Sequence, residues 1–158
     1  MGLRCLRRCS FPELRISGGA MVLGAMLLLT VPVQWVGAAA FAGLCHELGH
    51  LLCLRRLRIP VFRVRIGAFG AEIETGDLEP GQELRAALAG PAAGLLLAAL
   101  WKTAPRCAAC ALVQSAWNLL PAPPMDGGRA IRALGRLLQE KQEKPVAEAG
   151  ISGYNDSD

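Results

Sequence analysis

Charge is what this sequence has least of. Only 19% of its 158 residues are charged, 53% are hydrophobic, and the mean hydropathy is +0.34. That balance is apolar for a soluble domain. The shortage is also local. No charged residue stands between Ile16 and Cys45, a run of 30, and Ala86–Trp101 and Cys107–Met125 are two further charge-free runs. Burying three such runs inside a soluble fold would need a polar shell that the remaining residues cannot supply. A bilayer core of about 30 Å accepts roughly 20 helical residues, so the runs read as membrane spans.

Other absences narrow the chemistry. There are only two histidines, so any metal site must take further ligands from elsewhere. There is no internal repeat. The six cysteines do not make a disulfide framework: Cys5 and Cys9 lie in a basic N-terminus, Cys45 and Cys53 on or beside an apolar helix. Cys107 and Cys110 form one CxxC, which suits a redox pair, half a metal site, or small apolar packing in a helix. Arg4, Arg7 and Arg8 followed by an apolar run and Ala38–Ala40 have the look of a secretion signal. The apolar run is, however, longer than the roughly 7–15 residues such a signal uses.

The net charge of +4 gains meaning from its placement. Four arginines precede the first apolar run, six lie between Arg55 and Arg85, and five basic residues follow the last run. Only Lys102 and Arg106 sit between the later two. Positive charge stays on the cytoplasmic side of a membrane. Four spans with both termini inside put 15 of the 17 basic residues there. This explains the basic excess without nucleic acid, which is not expected as a partner.

The residues from Ile16 to Leu54 contain one charge and would make about 60 Å of straight helix, twice a bilayer core. Pro32 is the natural break, giving spans near Ser17–Val31 and Val33–Leu54. Val61–Ile66 and Ala71–Thr75 alternate polar and apolar residues around Gly67 and Gly70, as a β-hairpin at the membrane surface would. An irregular loop is the alternative. Later spans fall near Leu84–Leu100 and Cys107–Leu120, and an amphipathic surface helix follows Gly127-Gly128. The expected fold is thus an all-α polytopic membrane protein of about four transmembrane helices, with a small hairpin between spans two and three. Residues 1–15 are expected as a basic cytoplasmic tail, 16–140 as the membrane domain, and 141–158 as a disordered C-terminal tail.

His46-Glu47-Leu48-Gly49-His50 fits H-E-x-x-H. On a helix, residues four apart share a face, so both imidazoles can reach one ion. Glu47 is placed to act as general base toward a water that zinc makes acidic. A bare five-residue match is only moderately specific, but ionisable groups at the end of a membrane helix are costly and tend to be functional. A catalytic zinc site needs a third protein ligand. A cysteine or a carboxylate must supply it, and Asp126 is the best placed. It is the sole acidic residue between Arg85 and Glu140, it follows a proline run, and Gly127-Gly128 permits close approach. Spans two and four descend to the same side, which puts His50 and Asp126 at one depth. A helix N-cap is the plainer role for Asp126, and both roles can coexist.

Three segments carry a resemblance: Leu44–His50, Ala89-Gly90-Pro91-Ala92-Ala93-Gly94, and Asn118 through Arg129, which fits N-x-x-P-x-x-x-[LM]-D-G. With Ile66–Glu72 they make the chain similar to the site-2 protease family of intramembrane metalloproteases. It most resembles the compact bacterial branch that includes the stage IV sporulation protein FB. The resemblance reaches from about residue 36 to 138. It implies one Zn2+ held by His46, His50 and Asp126, with Glu47 as catalytic base. It implies substrate contacts at Asn118, Gly70 and Pro121, and a hairpin that guides an extended substrate by strand addition. It further implies cleavage of a membrane-tethered protein at the bacterial cytoplasmic membrane, with a pro-sigma factor in sporulation as the branch's substrate. An inhibitory membrane partner is left unnamed. The chain departs from the branch in having four spans where six are common, and it lacks a PDZ insert. A non-catalytic metal-binding scaffold of the same fold and a metal transporter are the competing readings. The first would be expected to have lost the base or a ligand, and the second would need polar residues along the spans.

Overall fold

The fold is seen in a computed structural model that describes residues 13–67 and 70–152, with side chains described to residue 142. Glu13–Ile16 forms β1, Gly18–Thr30 α1, Val33–Arg56 α2, Val61–Gly67 β2, Gly70–Thr75 β3, Pro80–Ala98 α3, Pro105–Asn118 α4 and Asp126–Ser152 α5.

Local chemistry sets the helix limits. Ser17 caps α1, its hydroxyl accepting from the Ala20 amide at 3.2 Å. Val31, which precedes Pro32, is held extended at φ −118° and ψ 137°, as the proline ring requires of its predecessor. This divides the long apolar run into α1 and α2 where the sequence expects it. Pro80 stands in the first turn of α3, and the Gln82 side chain accepts from the Glu79 amide at 3.1 Å.

The expected hairpin is present as β2 and β3, antiparallel, with Gly70 in a positive-φ conformation (130°) where the strand resumes. Ala68 and Phe69 lie outside the described residues. The hairpin has a third strand that alternation did not reveal. β1 pairs parallel to β2, so Glu13–Ile16 belongs to a sheet of order β1-β2-β3. Four residues are too few to show a period. What joins β1 to the sheet is charge as much as pattern. Arg63 lies between Glu13 and Glu74 and donates to both, at 3.1 and 3.0 Å. Arg15 faces Arg65 across the strands, an unfavourable pair. Each is drawn elsewhere, Arg15 to Glu13 at 2.7 Å and Arg65 to Glu72 at 3.6 Å.

α3 is the central helix and packs against α2, α4 and α5. Its buried face is Ala86, Ala87, Gly90, Pro91 and Gly94. Its neighbours bury Ala38 and Ala42, Ala108, Ala111 and Ser115, and Ala130 and Ala133. Leu54 is the one large aliphatic side chain among the buried residues described. The large apolar residues point outward: Leu29 is 87% exposed, Leu96 75% and Val113 69%. A soluble domain puts such residues inside. Small residues at helix seams with large ones outside is how helices pack in lipid, where close backbone approach supplies the attraction.

Two observations bear on the expected spans and C-terminal tail. Among the described residues, only α2 is long and apolar enough to cross a membrane. α1 is apolar but has 13 residues, α4 has 14, and α3 opens with Gln82, Glu83 and Arg85. α5 continues past residue 141 to Ser152, and the rest of the expected C-terminal tail, 153–158, lies outside the described residues. Glu140, Lys141, Gln142, Glu143 and Lys144 are strong helix formers, which sustain a helix with no apolar face.

Gly94 tests the small-residue seam. The Ser115 hydroxyl occupies the space its Cβ would fill and donates to the Pro91 carbonyl at 3.3 Å. Gly94→Ala is expected to lower stability by about 1–3 kcal/mol, as overpacking does. Gly24→Ala, which meets nothing within 4 Å, is expected not to lower it. Thermal unfolding of the purified proteins checks both, and an unchanged Gly94→Ala would refute the close seam.

Candidate metal centre

His46 and His50 lie one turn apart on α2, and both are buried. Asp126 comes from the other end of the fold, in the first turn of α5, and is 8% exposed. A carboxylate there is favoured by the helix dipole, so its helix-terminal position and its approach to the histidines are compatible. The three side chains converge. His46 Nε2 lies 3.1 Å from Asp126 Oδ2, His50 Nε2 lies 3.2 Å from the same oxygen, and the two Nε2 atoms are 3.2 Å apart. These three groups could hold a metal ion.

The donor chemistry favours a cation at their centre. His50 Nδ1 is 2.7 Å from the Ala86 carbonyl, which can only accept. In the neutral ring that contact puts the proton on Nδ1 and leaves Nε2 with a lone pair. Nε2 then faces a carboxylate oxygen and a second imidazole nitrogen, all electron-rich and removed from water. Such a triangle needs a cation to be favourable. Ligand atoms about 2.1 Å from a tetrahedral zinc stand roughly 3.4 Å apart, close to the edges found here. Fixing a ligand histidine through its other nitrogen is also how metal sites orient their ligands. His46 Nδ1, by contrast, is buried with no hydrogen-bond partner among the described residues.

Backbone close approach builds the site. A Cβ on Gly90 would overlap the His50 ring, so α3 can lie against this imidazole only where it has glycine. Pro91, next in sequence, cannot donate to the Ala87 carbonyl one turn back, which loosens the helix ladder beside Ala86. Gly127 and Gly128 play the same part for Asp126. A Cβ on either would strike the backbone of Leu119–Pro123, the turn that reverses the chain between α4 and α5.

Glu47 follows His46 and is half-buried. The backbone of Ala71, on β3, lies near its carboxylate. Asn118 is the last residue of α4 and half-buried, while Pro121 and Gly70 are exposed. None of these three belongs to the converging cluster. Sequence reasoning missed the Ala86 carbonyl and the part Gly90 plays. A backbone acceptor leaves no residue signature, whereas the Gly90-Pro91 pair was visible without its partner.

No family model matches the chain. The Mycobacterium tuberculosis protein named "Putative zinc metalloprotease Rip3", in strains Erdman and H37Rv, is 33% identical over 136 residues, covering 74% of this chain. The chain spans 30% of the length of these curated relatives. Among solved structures, the site-2 protease from Methanocaldococcus jannaschii shares the fold, with a TM-score of 0.64 and 19% identity. That match covers 77% of this chain and 66% of the archaeal one. The chain is thus similar to a mycobacterial zinc metalloprotease over 74% of its length and has the fold of the archaeal site-2 protease.

Proposed function

We propose that the chain is the catalytic core of an intramembrane zinc metalloendopeptidase. It hydrolyses a peptide bond in or beside the transmembrane segment of a membrane-tethered protein. The observation that carries this reading is the triangle of His46, His50 and Asp126 with Glu47 at its side. A pro-sigma factor is the substrate that the motif resemblance to the sporulation branch favours. The bilayer and the tethered substrate are the proposed partners, with an inhibitory membrane protein as a further one.

His46, His50 and Asp126 would hold one zinc ion, which when bound supplies a Lewis acid to polarise a carbonyl and acidify water. Glu47 takes the proton from the attacking water and returns it to the leaving amine. The Ala86 carbonyl and Gly90 keep the His50 ring in place through both transfers. Asn118, Gly70 and Pro121 are assigned to the substrate path. The outer edge of β3 has no partner strand among the described residues, and the Ala71 backbone beside Glu47 supports an extended peptide added there.

The outward-facing leucines and the small-residue seams support a four-span arrangement, with α1 and α4 short for a full bilayer. The distribution of basic residues supports a cytoplasmic site and cytoplasmic termini.

Three variants test the reading. Metal analysis is expected to find near one zinc per wild-type chain, and Asp126→Ala is expected to lose most of it. Zinc retained in full would remove Asp126 from the site. Glu47→Gln is expected to keep the metal and lose cleavage of a membrane-tethered reporter by about 10²–10⁴-fold. Undiminished cleavage would sink the mechanism. Gly90→Ala is expected to displace the His50 ring and weaken zinc binding by about 10–100-fold, read by chelator competition.

A further inference from the structure

We infer that the cytoplasmic end of α2 and α3 carries a binding site for an anionic phospholipid. The inference rests on the membrane reading above. A cleft of about 500 Å³ opens there, lined by Gly49, Leu52, Cys53, Arg56, Leu57 and Arg85. Its two cations come from different helices, Arg56 from the end of α2 and Arg85 from the second turn of α3.

Their charges are uncommitted. Arg63, Arg65 and Arg136 each pair with a carboxylate. Among the described residues, neither Arg56 nor Arg85 has one within salt-bridge distance. Glu83, the nearest acid along α3, is taken by Arg136 of α5. Arg85 Nε donates to the Gly81 carbonyl at 3.0 Å, which fixes the guanidinium and leaves its other donors free. Two arginines without counter-ions among the described residues, beside one cleft, fit a phosphate.

The surroundings select a lipid over a soluble phosphate. Leu52 is itself 59% exposed, and it continues a stripe of Phe41, Leu44 and Leu48 up the outer face of α2. These residues repeat at three- and four-residue spacing, so they make one apolar track. A phosphodiester at Arg56 and Arg85 would lay its acyl chain along that track. Basic pockets between membrane helices on the cytoplasmic side are suited to such head groups. Leu48 is two residues from each histidine, so the track lies on the face of α2 turned away from them, and a lipid held there would buttress that helix from behind.

The test uses the full chain purified in detergent. Phosphatidylglycerol retention is read by native mass spectrometry, and insertion by flotation with phosphatidylcholine vesicles. Arg56→Gln/Arg85→Gln is expected to weaken retention roughly thirtyfold. Arg55→Gln/Arg58→Gln removes the same charge from the same helix end outside the cleft and is expected to stay near wild type. Leu52→Gln is expected to weaken retention of the lipid. Equal loss in both double variants would reduce the effect to diffuse surface attraction and overturn the site, as would equal retention. Glycerophosphoglycerol competing as well as intact lipid would make phosphate alone the ligand and overturn the lipid assignment. Flotation without lipid retention sinks only this site, whereas failure to float with any vesicle sinks the membrane reading beneath it.

Discussion

The close approach of α2 to α3 is the constraint on which the rest of the structure depends. His50 can rest on α3 only because Gly90 has no side chain, and it can be oriented only because the Ala86 carbonyl is then within 2.7 Å. The same seam carries Gly49 against Ala89, whose backbone leaves no room for a larger residue. Large side chains would hold the helices farther apart and cost the site its geometry, whatever they gained in burial. Large apolar residues are therefore outside, where a bilayer can solvate them.

A seam this tight also answers the cost of placing two imidazoles and a carboxylate out of water. Each would be expensive alone. Together they present three lone pairs to one point, an arrangement that is unfavourable empty and favourable around a cation. Asp126 reaches that point from 76 residues beyond His50. It does so because Pro121–Pro124 and the paired glycines let the chain turn back against its own backbone. The sequence spacing between ligands is thus irrelevant; the depth at which α2 ends and α5 begins decides the contact.

Much of the site was legible before the fold, because its signals are local. The i, i+4 histidines, the break at Pro32 and the alternation in β2 and β3 each reside in a few adjacent residues. Asp126 was legible by scarcity, by the depth of its span, and by the prolines before it and the glycines after it. What escaped lay between segments. β1 has four residues and no periodicity, and it exists because Arg63 offers it a partner. The Ala86 carbonyl belongs to every residue type alike. The helical continuation past residue 141 was hidden because high charge reads as disorder, although those residues are also good helix formers. Charge-free runs counted as spans include turns, and the helices within them are shorter than the runs.

The small sheet resolves a difficulty that the apolar seam creates. The proposed hydrolysis would need water, and the buried face of α3 beside the histidines offers only small apolar residues such as Ala86, Ala87 and Gly90. The sheet follows directly from the end of α2, and β3 brings the Ala71 backbone beside Glu47. Its six charged side chains, Glu13, Arg15, Arg63, Arg65, Glu72 and Glu74, pair among themselves on an exposed surface. Such pairs add little stability. They do keep an exposed polar surface on the sheet that follows α2. Among the described residues the outer edge of β3 has no partner strand, so the proposed strand addition would bring a peptide to this polar side of the site. The third strand that sequence alternation did not reveal is what anchors this polar flank to the start of α1, through the Ser17 amide and the Ile66 carbonyl at 2.9 Å. The chemistry of the metal site and the apolar packing that builds it are thereby kept compatible by a few charged residues outside the helices.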